Sequence, residues 1–131
     1  MITFEKFELS NGLTVIVHED KTTPLVAMNI LYKVGARDED PNKTGFAHLF
    51  EHLMFGGSIN IPTYDEPLQK AGGENNAFTN NDFTNYYLTI PASNLETGFW
   101  LEKEIFGEIV TSVNIKMTED LIRCAKLTHS E

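Results

Sequence analysis

Two histidines and a glutamate, His48, Glu51 and His52, are the residues of this chain whose types and spacing best suit metal chemistry. In an α-helix, positions i and i+4 lie one above the other, so the two imidazoles converge on one face and Glu51 projects beside them. Imidazole and carboxylate groups are costly to bury unless a partner satisfies them, and a divalent cation is such a partner. The spacing therefore predicts a cation site on a helix.

The alternative interpretation of these residues is structural, with hydrogen-bonded core histidines and a glutamate that forms a salt bridge. The chain has four histidines in 131 residues, and two of them seldom fall four positions apart with a glutamate directly before the second. The pattern H-x-x-E-H is also a motif with a known zinc chemistry, which favours the metal site.

A helix of about three turns is expected around the motif, over residues 45–57. Thr44 offers a hydroxyl N-cap, and Gly56-Gly57 is a stop signal. Apolar residues are distributed almost all the way round this helix, which predicts that it packs inside a core. These residues are Phe46, Ala47, Leu49, Phe50, Leu53, Met54 and Phe55.

The composition is that of a soluble globular domain of ordinary size. Hydrophobic residues make up 41% of the 131 residues and charged residues 22%. The formal charge of -9 argues against nucleic acid as a partner. Cys124 is the single cysteine, so no intrachain disulfide can form. No stretch suits a membrane span, and residues 1–6 lack the apolar core of a signal peptide, so the cytoplasm and the periplasm are both compatible.

The first part of the chain has the pattern of a β-hairpin followed by a longer strand. Residues 3–9 and 13–19 flank the turn signal Ser10-Asn11-Gly12. His18 is expected at the surface of this hairpin. Residues 25–34 are a continuous apolar run, which predicts a central strand covered on both faces.

The rest of the chain combines a solvated loop, helices and a second hairpin, so the fold class expected is α+β. The predicted sheet is antiparallel or mixed, with helices packed on it. Beyond the motif helix, the expected elements are a loop at 35–43, a short helix at 64–71, strands at 74–79 and 83–90, a helix from the capping box Ser93-x-x-Glu96 to about Phe106, and a last helix from Thr118.

The strand at residues 74–79 differs from a core strand because it is polar, with small Ala77 between amide side chains. It is expected at an edge of the sheet, where unpaired backbone groups can accept an extended peptide as an added strand. The open alternative is an ordinary edge strand whose polar residues prevent pairing with other chains.

Three motifs occur in order: residues 48–58 (HLFEHLMFGGS), 71–79 (AGGENNAFT) and 82–87 (DFTNYY). Together they closely resemble the N-terminal part of the pitrilysin-like (insulinase, M16) zinc metallopeptidases. The resemblance extends from about Phe4 to Glu102 and weakens from about Gly107 onward.

The resemblance implies Zn²⁺ as the cofactor and a specific role for each motif residue. In that family two histidines and a distal glutamate bind zinc, while the glutamate of the helical motif activates the metal-bound water. His48 and His52 are then ligands and Glu51 is the general base, which agrees with the chemistry of neutral imidazole and zinc. Substrate peptides lie along the family's edge strand, which corresponds here to Asn76, Ala77, Phe78 and Thr79.

The distal zinc ligand is the place where the resemblance is less regular. Glu131 is the late carboxylate nearest to the expected position, 79 residues after His52 (131 minus 52). The customary distance falls at Thr128 or His129 instead. Glu131 is the predicted ligand, and a substitution by His129 or a loss of the ligand are the alternatives. Glu119, at the start of the last predicted helix, is expected to interact with the helix dipole.

The length of the chain also differs from that of the family's enzymes. By resemblance, residues 1–131 are a single partial domain, the N-terminal half of an M16-type peptidase domain, without the second homologous domain that grips the substrate. The expected function is zinc-dependent endopeptidase chemistry on extended peptides, weak or absent in this chain alone. A non-catalytic scaffold or assembly subunit, or a truncated remnant, is the alternative. Self-association, or a partner chain that supplies the missing domain, is also expected.

Overall fold

The computed structural model describes residues 2–58 and 60–109. In this part of the chain, strands and helices follow one another in the order that the sequence patterns predict. The elements are β1 (Glu5–Glu8), β2 (Thr14–Val17), β3 (Leu25–Tyr32), α1 (Phe46–Phe55), α2 (Asp65–Lys70), β4 (Glu74–Thr79), β5 (Thr84–Pro91) and α3 (Leu95–Ile109), with short 3₁₀ turns at Ala36–Asp38 and Ala92–Asn94.

The strands form two antiparallel sheets. Strands β1 and β2 pair as the expected hairpin, and its turn contains Gly12 with φ 86°. Strands β3, β5 and β4 form a three-stranded sheet in that order, with β5 in the centre. The α+β class and the antiparallel sheet are confirmed.

The prediction of β3 as a central strand covered on both faces is wrong for the part of the chain that the structure describes. Strand β3 pairs with β5 on one side, and alternate residues along it are exposed, among them Leu25 and Leu31. The error has a physical reason. A continuous apolar run shows that a strand contacts apolar material somewhere, but it does not show how many neighbours the strand has.

The core lies between the sheet and the three helices. Its most completely buried side chains are Leu68 of α2, Leu88 and Ile90 of β5, and Leu101 of α3. Strand β5 is buried on most positions because it is central, and it supplies the floor on which α3 packs. None of the described helices is both long enough and apolar enough to cross a membrane.

The core also contains a carboxyl group, that of Glu102 on α3, which is 7% exposed. Its Oε1 accepts a hydrogen bond of 2.7 Å from the Tyr64 hydroxyl, while its Oε2 has no hydrogen-bond partner among the described residues. Burial raises the pKa of Glu102 to about 7, against the opposing effect of the Tyr64 hydrogen bond. A charged Glu102 is therefore costly to the folded state.

This burial predicts a pH-dependent stability. Because the pKa of Glu102 is raised from 4.5 to about 7 on folding, the folded state holds a proton that the unfolded state has already released, and stability falls as the pH rises from about 4.5 to 7. The loss is about 3 kcal/mol above pH 7. Glu102→Gln stays neutral and should remove most of this slope in urea unfolding measured at pH 5 and pH 8. The control Glu8→Gln, on exposed β1, should keep the slope, and a parental slope in Glu102→Gln would contradict the prediction.

Candidate functional site

Helix α1, which carries the histidines, begins at Phe46 and ends at Phe55. The prediction of Thr44 as its N-cap is wrong: the N-cap is Gly45, with φ 93° and no side chain to offer. The carboxylate of Glu39 caps the helix instead. Its Oε2 accepts a 2.6 Å hydrogen bond from the Gly45 N–H and its Oε1 a 2.7 Å bond from the Ala47 N–H. A negative group at this end is also favoured by the helix dipole.

The loop that holds Glu39 is attached to the turn between β4 and β5. The N–H groups of Ala36 and Arg37 each donate a 3.0 Å hydrogen bond to the carbonyls of Asn80 and Asn81. Gly35 is required here because a Cβ would approach both carbonyl oxygens to 2.5 Å. The expectation of a merely solvated loop at 35–43 is therefore incomplete, since part of it fixes the start of α1. A cap that lies several residues before its helix has no local sequence signature.

The prediction that α1 packs inside a core on all sides is wrong for the described residues. Met54 is buried, and Ala47, Glu51 and Phe55 are half-buried on the side that faces the sheet. The opposite side is apolar and about half exposed. Its residues are Phe46, Leu49, Phe50 and Leu53. Apolar residues do surround the helix, but no residue within 2–58 or 60–109 buries this side of it.

The imidazoles of His48 and His52 lie together on the exposed part of α1. Their Nε2 atoms are 3.0 Å apart, and their ring centroids are separated by 4.7 Å with the planes tilted by 42°. Two nitrogen ligands of tetrahedral zinc, each about 2.0–2.1 Å from the metal, are about 3.3 Å apart. The observed pair is thus close to the geometry that a shared zinc ion requires.

A third metal ligand is not found among the residues that the structure describes, where no group of three His, Cys, Asp or Glu side chains converges. Glu131, the predicted ligand, lies outside the described residues, as do the alternative His129 and the carboxylate Glu119. The role of Glu131 therefore stays a prediction.

Glu51 is half-buried between α1 and strand β4. Its Oε2 accepts a 2.5 Å hydrogen bond from the hydroxyl of Thr79. Thr79 is itself 3.4 Å from the hydroxyl of buried Thr84, which donates a 3.1 Å bond to the Val34 carbonyl. Tyr86 of β5 lies near this carboxylate. Burial is the main cause that raises the pKa of Tyr86 to about 12, and the charge of Glu51 is the second cause.

Strand β4 lies at an edge of the three-stranded sheet, as its polar sequence predicts. Along the strand, Ala77 and Thr79 face α1 and the core, whereas Asn76 and Phe78 face the other side of the sheet. The Asn76 side chain accepts a 2.8 Å hydrogen bond from the Ala77 N–H. Phe78 is 44% exposed and packs edge-to-face on Phe83 at 5.8 Å. Of the four predicted substrate-binding residues, Thr79 directly contacts the motif helix.

An open cleft of about 320 Å³ adjoins His48. Its walls are the start of α1, the loop that holds Glu39, and the turn after β4. The lining residues are Ala36, Glu39, Thr44, Gly45, Ala47, His48, Thr79, Asn80 and Asn81. The cleft therefore lies between His48 and the end of the edge strand at Thr79.

Sequence reasoning missed two contacts in this arrangement: the Glu39 carboxylate at the start of α1, and the threonine hydroxyl groups behind Glu51. The second has a signal in the sequence. Thr79 and Thr84 flank a short turn, and the hairpin register pairs them directly. A register drawn from the turn would therefore have placed the two hydroxyls side by side.

Comparison with known proteins gives a consistent result. The model of the insulinase family (peptidase family M16) matches residues 14–123. The zinc protease PqqE of Helicobacter pylori is 36% identical over 120 residues, which are 89% of this chain and 26% of that protein. The human insulin-degrading enzyme is 32% identical over 96 residues, which are 71% of this chain and 9% of the enzyme. The chain thus spans about a quarter or less of the length of these relatives.

Solved structures agree with the sequence matches. A protease from Helicobacter pylori superposes with a TM-score of 0.76 at 35% identity, over 82% of this chain and 26% of that chain. Pitrilysin superposes with a TM-score of 0.71 at 24% identity, over 79% of this chain and 11% of its own, which shows a shared fold.

Proposed function

This chain belongs to the insulinase family, peptidase family M16, and on that premise we propose that it carries zinc-dependent endopeptidase chemistry on extended peptides. The observation that carries the proposal is the pair of Nε2 atoms of His48 and His52, 3.0 Å apart, on the helix that also carries Glu51. Relatives named zinc proteases support the choice of metal.

The residues have distinct roles in this proposal. His48 and His52 would hold the zinc ion, with Glu131 proposed as the third ligand. When bound, zinc supplies Lewis acidity and lowers the pKa of a coordinated water to about 7. Glu51 is the proposed general base that takes a proton from water during its attack on the peptide carbonyl, because it lies one helical turn after His48 and directly before His52. The Thr79 hydroxyl holds that carboxylate at 2.5 Å.

The substrate is proposed to bind as an added strand along β4. The edge position of β4 and its direct contact with Glu51 through Thr79 support this site, since a peptide paired with the strand would pass the base. The bond between the Asn76 side chain and the Ala77 N–H is of a type that an incoming backbone carbonyl can replace. The adjoining cleft beside His48 would receive a side chain of the peptide.

We further propose that residues 1–131 are part of an M16-type domain and are weakly active on their own. The chain matches 26% of the length of its Helicobacter pylori relative, and the resemblance places a substrate-gripping domain elsewhere. Association with another chain would cover the half-exposed apolar side of α1.

Hydrolysis of an unstructured peptide tests the proposed chemistry. With saturating zinc, the purified chain is expected to cleave slowly, and Glu51→Gln is expected to lower the rate at least tenfold because the amide cannot accept the proton. Both proteins should bind zinc equally, which serves as the control. Equal rates for the parent and Glu51→Gln would contradict the role of Glu51, and fast turnover by the parent would contradict the weak activity.

A further inference from the structure

Two threonine hydroxyl groups, those of Thr79 and Thr84, lie in a row between the Glu51 carboxylate and the Val34 carbonyl. Thr79 is the last residue of β4 and Thr84 the first of β5, and the two are register partners. The Thr79 Oγ1 lies 2.5 Å from Glu51 Oε2, and the Thr84 Oγ1 lies 3.1 Å from the Val34 carbonyl oxygen. Between the two hydroxyl oxygens the distance is 3.4 Å.

The number of hydroxyl protons determines which group donates in each of these contacts. Each threonine hydroxyl has one proton, and the two ends of the row, an ionised carboxylate and a carbonyl oxygen, accept only. The proton of Thr79 therefore goes to Glu51 and the proton of Thr84 goes to Val34. No proton remains between the hydroxyl oxygens, which explains a separation of 3.4 Å where O–H···O bonds usually measure about 2.7–2.8 Å.

We infer that Thr79 is a positioning residue, whose hydroxyl orients the Glu51 carboxylate for its role as a base. The inference rests on the proposed function in naming Glu51 as the base, whereas the contact itself is a feature of the fold. It assigns Thr79 a role for its side chain that is separate from the backbone pairing proposed for β4.

The arrangement suits this role because the flexible side chain of Glu51 is held by the stiff side chain of Thr79. Glu51 has several rotatable bonds and is half-buried, so its carboxylate has other orientations to adopt. Thr79 is β-branched and restricted at χ1, and Thr84 is 6% exposed in the central strand. Groups on paired strands, locked by packing, position a functional side chain better than loop residues do.

Carbon NMR of the Glu51 carboxyl group tests the inference directly. In a labelled chain at pH 7, with the signal assigned by its loss in Glu51→Gln, Thr79→Val should move the Glu51 signal at least ten times as far as the control Thr89→Val. Thr89 lies in the same sheet at the other end of the β4–β5 pairing. Thr79→Ser keeps the donor and should restore the parental signal.

A signal that stays at its parental position in Thr79→Val would overturn the inference. If Thr79→Val did not fold, Thr79→Ala would decide, since it also removes the hydroxyl donor; a parental Glu51 signal in that variant would also overturn the inference. Zinc content separates this result from the proposed function. Thr79→Val should bind as much zinc as the parent. If the parent itself bound no zinc, the proposed metal site would be refuted, and the NMR result would still decide the role of Thr79.

Discussion

Replacement of His52 by alanine is expected to weaken zinc binding about a thousandfold. Structural zinc sites with four ligands bind with about 10–16 kcal/mol, so each ligand contributes about 2.5–4 kcal/mol, and the upper value corresponds to about three orders of magnitude in Kd. The Nε2 atom of His52 is 3.0 Å from that of His48, so the variant removes one half of a chelating pair and leaves a single imidazole.

His18 supplies the matched control for this experiment. It is exposed beyond strand β2, and its Nδ1 lies 2.6 Å from the Thr3 carbonyl oxygen, far from helix α1 in sequence. Competition titration with a chromophoric chelator should give His18→Ala the parental zinc affinity. If His52→Ala retained the parental affinity, or His18→Ala lost as much, the pair on α1 would not be the zinc site.

The second large effect is expected at Gly57, where alanine should destabilise the fold by about 2–5 kcal/mol. Two costs add. Gly57 has φ 86°, where a side chain costs about 1–2 kcal/mol. An added Cβ would also lie 2.3 Å from the Ile61 carbonyl oxygen and 2.8 Å from that of Pro62, and overpacking of this kind costs about 1–3 kcal/mol. The turn after α1 would have to open.

Gly12 separates the two costs because it has the same φ of 86° and open space where the Cβ would lie. Gly12→Ala should therefore cost about 1–2 kcal/mol, the conformational part alone. Urea unfolding of both variants at one pH measures the difference. Equal destabilisation by Gly12→Ala and Gly57→Ala would show that the carbonyl groups of Ile61 and Pro62 add no steric cost at Gly57.

The elements that the sequence predicted well are those with a local cause. The turn at Ser10-Asn11-Gly12 and the polar edge strand β4 were placed correctly because turn chemistry and side-chain alternation act within a few residues. The i and i+4 spacing of His48 and His52 is equally local, since helix geometry alone brings the rings together.

The features that the sequence did not predict depend on contacts between distant segments. Glu39 caps α1 from a loop, so the choice of Thr44 as N-cap, made from its adjacency, was wrong. The central strand of the described three-stranded sheet is β5 and not β3, because of the order in which the strands pair, and an apolar run does not encode that order. The helix predicted from Thr118 lies outside the described residues. The burial of the exposed side of α1 and the identity of the third zinc ligand therefore stay predictions.

The measurement that tests the central claim most directly is the zinc content of the chain after purification in metal-free buffer, for the parent and for Glu131→Gln. We predict about one zinc ion per parent chain and a large loss in the variant, as a site built from His48, His52 and Glu131 requires. Zinc that is tightly held in both would assign the third ligand elsewhere, with His129 the first candidate. A parent chain that binds no zinc, while folded, would contradict the account and favour a non-catalytic scaffold.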